Sequence, residues 1–187
     1  MSQFDFAGAP PTRPASSTRR LAARIAVSVE AWPSMSAADQ DRVRRLTIAP
    51  RQVEYAGSTA NAVAACDDGD PKQVVGLALR VDGAIVGFVV VKRRDAAPDW
   101  ATPGTAVLSA LRVDVQHQGR GIGSAALQAI AAWVRGHWKS ATSLALTVDE
   151  ENVAAIRAYA KAGWCEIGER VEGRIGWVRT MARGVRD

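Results

Sequence analysis

The 187 residues are 48% hydrophobic and 23% charged with a formal charge of +5, the balance of a soluble globular chain with room for one sizeable core. No apolar run approaches the ~18 residues that span a bilayer, and the first twenty residues carry Pro10, Pro11 and Pro14 in place of the apolar stretch of a secretory signal. The expectation is a cytoplasmic protein without a membrane partner. Arg13, Arg19 and Arg20 against Asp5 leave only +3 for residues 21–187, a solvated surface excess that argues for no nucleic-acid partner. Cys66 and Cys165 stand isolated and form no ligand spacing with His117 or His137, so reduced, partly buried thiols and no metal are expected.

Residues 1–20, rich in Pro, Ser and Arg, read as a disordered extension, and residues 21–187 as one domain. Ile25, Val27 and Val29 alternate with small or polar residues and predict a first strand over Arg24–Val29. Ser36, with Asp39 three positions on, predicts a capped helix through Leu46, and Pro50 a second short one. Asp67–Pro71 reads as a loop. Asp82-Gly83 between Val74–Val81 and Ala84–Val91 predicts a hairpin with a two-residue type I′ turn. Ala106–Val113 predicts a strand, Ile122–His137 an amphipathic helix, and Ser143–Val148 a buried strand. A helix from about Glu151 to Lys161 is stopped by Gly163. Cys165–Val171 and Arg174–Met181 read as a last hairpin across Glu172-Gly173. The order gives a mixed α/β chain built on a single sheet.

The chemistry concentrates where Ala106–Val113 runs through Asp114 into Gln118-Gly119-Arg120-Gly121-Ile122-Gly123-Ser124. Alternate glycines remove the Cβ atoms that would hold a ligand off the backbone. The helix starting there aims unpaired N–H groups and its positive dipole end into the same space, a cradle for phosphate to which Arg120 can add charge. A Walker A loop needs a lysine between Gly123 and Ser124 and has none. A dinucleotide fingerprint needs a carboxylate about 20 residues on, and residues 137–145 hold no Asp or Glu. The pattern Gln/Arg-x-x-Gly-x-Gly/Ala fits as Gln118, Gly121 and Gly123.

With that loop the chain resembles the GCN5-related N-acetyltransferase superfamily over about residues 24–183. The core motif matches Leu111 to Ser124, and the hairpin Val74–Lys92 matches the two strands before it. A second motif agrees independently: Thr147-Val148-Asp149-Glu150-Glu151-Asn152 through Tyr159 to Gly163-Trp164, with Trp164 where Phe is commoner. The resemblance implies an α/β (α+β) fold: a mixed, mostly antiparallel sheet of six to seven strands, about four flanking helices and a splayed central strand pair.

It further implies acetyl-CoA as co-substrate, with no metal, and an amine acceptor on a small molecule or peptide. The backbone of Leu111, Arg112 and Val113 would pair with the pantetheine arm. The N–H groups of Gly119, Arg120, Gly121, Ile122, Gly123 and Ser124 would hold the pyrophosphate, and Asn152 would lie near the thioester. Tyr159 would protonate the departing thiolate, and the Val113 N–H would stabilise the carbonyl oxygen as charge develops. For the base, Glu54, Asp99 and Asp114 are the carboxylates nearest in sequence, Glu54 being the candidate carried forward and Asp114 a group that could instead fix the turn. Pro50-Arg51-Gln52-Val53-Glu54-Tyr55 faintly resembles bacterial polyamine-type acetyltransferases, although the basic charge argues against a polycation pocket. Trp32, Trp100 and Trp177 are candidate aromatic walls for the acceptor, and the strands around Trp177 a candidate homodimer contact. Competing readings are a non-catalytic acyl-CoA-binding sensor and acetylation of an amine borne by protein or RNA. The presence of both Asn152 and Tyr159 favours the enzyme.

Overall fold

The computed structural model describes residues 25–186, so the expected N-terminal extension and the start of the first predicted strand at Arg24 lie outside the described residues. Seven strands form one sheet: β1 (Ser28–Ala31), β2 (Val74–Val81), β3 (Ala84–Arg93), β4 (Thr105–Val113), β5 (Ser143–Asp149), β6 (Cys165–Glu172) and β7 (Trp177–Gly184), in the order β1-β2-β3-β4-β5-β7-β6. Five α-helices accompany them: α1 (Ala37–Arg44), α2 (Pro50–Ala56), α3 (Thr59–Asp67), α4 (Ile122–His137) and α5 (Val153–Lys161). All strand pairs are antiparallel except β4 with β5.

Local chemistry explains most of these elements. The Ser36 hydroxyl accepts from the Asp39 N–H at 3.2 Å and opens α1. Asp82 and Gly83 both take positive φ (50° and 80°), the type I′ geometry that the twist of the flanking strands favours. β2 and β3 are buried on both faces because helices cover both. Leu77 and Leu79 pack with Ile122, Ile130 and Leu144 on the α4 side, while Ala78 and Phe88 pack with Trp32, Val43 and Val63 on the α1–α3 side. Phe88 meets the Trp32 ring edge-on at 5.7 Å, so Trp32 is core and no acceptor wall.

Three boundaries differ from the sequence reading. The first strand begins at Ser28 rather than Arg24. The helix α3 is an addition: its Ala-rich run buries only Ala62 and Val63 and has no apolar stripe, although Ser58 caps it by accepting from Asn61 N–H. The last hairpin turns across Gly173–Gly176, closed by the Gly173 N–H to Gly176 carbonyl bond at 2.7 Å, so β7 starts at Trp177.

The feature that makes the site is where β4 and β5 stop pairing. Only Thr105, Ala106 and Val107 pair with Ser143, Leu144 and Ala145. Beyond them the strands diverge, one running on to Val113 and the other to Asp149. The β3–β4 ladder slips between Phe88 and Val90, opposite Ala110, which takes φ +56°. This bulge bends β4 away from β5. Gly87 permits it, since a Cβ there would lie 2.4 Å from the Arg112 carbonyl oxygen.

Candidate active site

Two cavities meet in the gap between β4 and β5. The first, about 320 Å³, runs from the Gly loop along Leu111, Arg112 and Val113 and is roofed by Gln52 and Tyr55 of α2. The second, about 620 Å³, lies on the far side and is walled by Trp100, Leu108, Val148, Asp149 and Arg174 among others. Tyr55, Ala56, Leu111, Asn152 and Tyr159 line both, so they mark the junction.

The Gly loop is built for close approach. Gly119 and Gly121 take φ +73° and +79°, and a Cβ at Gly119, Gly121 or Gly123 would meet no protein atom within 4 Å. These glycines are therefore not packing glycines, in contrast to Gly87; the space beside them is open cavity. Gly121 caps the 16-residue α4 with no side-chain bond, so Ile122, Gly123 and Ser124 present helix N-terminal N–H groups there. Arg120 and Ser124 line a neighbouring hollow with Lys161. The residues present fit a pyrophosphate-bearing ligand.

Gln118 holds this loop to the strand. Its Nε2 donates to the Val113 carbonyl at 2.7 Å and to Gln52 Oε1 at 2.8 Å, and Gln52 Oε1 also accepts from the Ala49 N–H at 3.1 Å. One side chain thus ties α2, β4 and the loop together. Asp114 N–H donates to the Val86 carbonyl across the β3 side. Strand groups alternate in direction, so the Val113 N–H, like its carbonyl, points into the gap. Asp114 is not poised as a base: its carboxylate accepts from the Gln116 and Thr47 N–H groups at 3.0 Å each and fixes the turn into the loop.

Arg112 lines the first cavity as part of β4, and its side chain is buried, with 3% of the residue exposed. The guanidinium donates to the carbonyls of Ala110, Gly57 and Ala56 and to Thr59 Oγ1. Burial lowers its pKa. These bonds fasten the C-terminal end of α2, where carbonyls carry the negative end of the helix dipole.

At the junction, Asn152 opens α5 by accepting from the Ala155 N–H at 3.2 Å through Oδ1. Tyr159 packs 5.9 Å from the Trp164 ring, and its hydroxyl has no hydrogen-bond partner among the described residues. Burial pushes its pKa up to about 12, which keeps it a proton donor at neutral pH.

Other candidates fall elsewhere. Glu54 is exposed and lines neither cavity; at 100° per residue, α2 turns Gln52 and Tyr55 inward and Glu54 outward. Asp99 is likewise exposed and outside both cavities. Trp100 does line the second cavity, while Trp177 is exposed on β7 away from it. Cys165 is exposed rather than partly buried. Among the described residues no three His, Cys, Asp or Glu side chains cluster as metal ligands would, and no helix is long and apolar enough to cross a membrane. Sequence reasoning missed Gln52 as a partner of Gln118, and Asp149 and Arg174 as the charged residues of the second cavity. Asp149 lies within the second motif, but only the splay of β4 from β5 puts it on the cavity wall.

A sequence profile for the Acetyltransferase (GNAT) family matches residues 39–164. The chain belongs to that family. It is an N-acetyltransferase, and acetyl-CoA is its co-substrate. It is 27% identical over 118 residues to the uncharacterized N-acetyltransferase YbbJ of Bacillus subtilis (strain 168), covering 57% of this chain and 74% of that one. The structure of AAC(6')-Ib in complex with ribostamycin and coenzyme A superposes with a TM-score of 0.66 at 19% identity, over 85% of this chain and 93% of that one. The spermidine N-acetyltransferase from Vibrio cholerae, in complex with CoA and spermine, gives a TM-score of 0.66 at 16% identity, over 86% and 96% of the two chains. At these identities the two structures share the fold with this acetyltransferase.

Proposed function

We infer that this enzyme moves the acetyl group of acetyl-CoA to the amine of a small molecule or peptide by direct attack, with Tyr159 as general acid. The observation that carries the reading is Tyr159 at the junction of the two cavities, one reaching the Gly loop and the other open to an acceptor. Acetyl-CoA would lay its pyrophosphate on the N–H groups of residues 119–124, with Arg120 and Lys161 adding positive charge. Its pantetheine would follow the free edge of Leu111–Val113, which brings the thioester to Asn152 and Tyr159.

In the reaction the amine sheds its ammonium proton to solvent and its lone pair attacks the thioester carbonyl. The oxygen takes up negative charge opposite the Val113 N–H. As the C–S bond breaks, Tyr159 gives its proton to the thiolate, and the second proton leaving the amine nitrogen restores the phenol. The products are the amide, CoA and one proton. A pKa near 12 suits Tyr159 to this donor role.

A sensor that only bound acyl-CoA would have no use for the second cavity or for an unpartnered phenol between the two. Release of free thiol from acetyl-CoA across a panel of amines tests the reading. Amine-dependent release is expected; tight cofactor binding without release on any amine would favour the sensor.

A further inference from the structure

The second cavity carries one charge of each sign. Its lining holds one carboxylate, Asp149, and one guanidinium, Arg174. The two come from different elements, the end of β5 and the turn before β7. They do not form an ion pair with each other: Arg174 donates to the Glu54 carbonyl at the edge of α2, and Asp149 has no cationic side chain within salt-bridge distance among the described residues. Burial raises the Asp149 pKa above the usual aspartate range, while its own N–H and Arg174 oppose that shift. Because no ion pair joins them, each is left to pair with a group on a ligand. Trp100, Leu108 and Val148 give the same cavity apolar lining.

A polyamine or an aminoglycoside presents several ammonium groups and needs several carboxylates around it. Here a second ammonium would meet Arg174. A molecule with one ammonium and one carboxylate close together, on an apolar or aromatic frame, would satisfy both walls and leave neither charge unpaired. We propose that the acceptor is such a zwitterion, an amino-acid-like amine whose ammonium docks on Asp149 and whose carboxylate docks on Arg174. Docking the ammonium on Asp149, at the end of β5 three residues before Asn152, sets the nitrogen beside the junction where Tyr159 lies. The proposal rests on this cavity being the acceptor side of the acetyltransferase, and it names the class of acceptor.

The test is calorimetric titration of the full chain saturated with CoA, which reads acceptor binding without requiring turnover. Three probes suffice: phenylalanine, its decarboxylated form phenethylamine, and spermidine. Phenylalanine should bind at least tenfold more tightly than either of the others. Asp149→Asn should weaken phenylalanine and phenethylamine alike by tenfold or more. Arg174→Met should weaken phenylalanine alone and bring it level with phenethylamine, an outcome that a merely structural role of Arg174 would not give. CoA affinity within twofold of wild type confirms that each variant is folded. Spermidine binding more tightly than phenylalanine, no binding by any probe, or an unchanged phenylalanine affinity in Asp149→Asn would overturn the proposal. Binding in the expected order with no acetyl transfer would instead contradict the catalytic reading and leave this one standing.

Discussion

Gln118 reaches back from the phosphate loop to donate to the Val113 carbonyl at 2.7 Å, and the same nitrogen donates to Gln52 Oε1 at 2.8 Å. The first bond holds the edge of β4 at a set distance from the Gly loop. The second hangs α2, with Tyr55 on it, over the junction. Gln118→Leu keeps the bulk and removes both bonds. At about 0.5–1.5 kcal/mol per bond, acetyl-CoA affinity should fall about tenfold, with a further loss in kcat because Val113 is no longer fixed. Isothermal titration with acetyl-CoA and steady-state kinetics separate the two effects.

Gly123 separates stability from binding. It sits in the first turn of α4 with no protein atom near its absent Cβ. Alanine there should stabilise the helix by about 0.5–1 kcal/mol while its methyl intrudes on the phosphate space. Gly123→Ala should therefore melt about 1–4 °C higher and bind acetyl-CoA less tightly. A rise in Tm with unchanged affinity would place the phosphates elsewhere.

Arg112 contributes to the scaffold rather than to the ligand. Arg112→Met leaves the carbonyls of Ala56, Gly57 and Ala110 without their buried donor. The expected cost is about 3 kcal/mol, since bonds from a charged donor contribute about 1.5–3 kcal/mol. Thermal unfolding should show a drop of about 6–12 °C. Acceptor KM should rise more than acetyl-CoA KM, because α2 roofs the junction and its C-terminal end is the part released.

Asp149 carries a sign that can be checked. Its pKa is raised in the fold, so its ionised form is the less favoured one there, and the fold gains stability as pH falls through the raised value. Asp149→Asn should then melt slightly higher than wild type at neutral pH, and the difference should close as pH falls through the raised value. Acceptor affinity in the wild type should fall as pH drops through the same raised value, and that fall should vanish in the variant.

How much of this was legible in the chain depended on distance along it. The Gly loop could be read because it is a local pattern fixed by turn geometry, whereas Asn152 and Tyr159 stood out only through the resemblance carried by the second motif, and the Asn152 cap only in the structure. The bounds of α4 came through as Ile122–His137 because its apolar stripe is continuous and Gly121 precedes it. α3 was missed because Thr59–Asp67 is rich in alanine, which gives no stripe to read. The Gln52–Gln118 pair spans 66 residues, and Asp149 and Arg174 line one cavity only because β5 and the β6–β7 turn converge there. No periodicity encodes such meetings. Glu54 illustrates the converse: next to Tyr55 in sequence, it sits on the outer side of α2.

The most direct test of the account is the amine-dependent release of CoA thiol by wild type and Tyr159→Phe, measured from pH 7 to pH 10 alongside acetyl-CoA affinity. The substitution removes one hydroxyl and keeps the ring that packs on Trp164. Loss of a general acid predicts a fall in kcat of about 10²–10⁴-fold, with acetyl-CoA affinity within twofold, and no loss of wild-type activity near pH 10 because the phenol titrates at about 12. Tyr159→Phe turning over at the wild-type rate would contradict the mechanism.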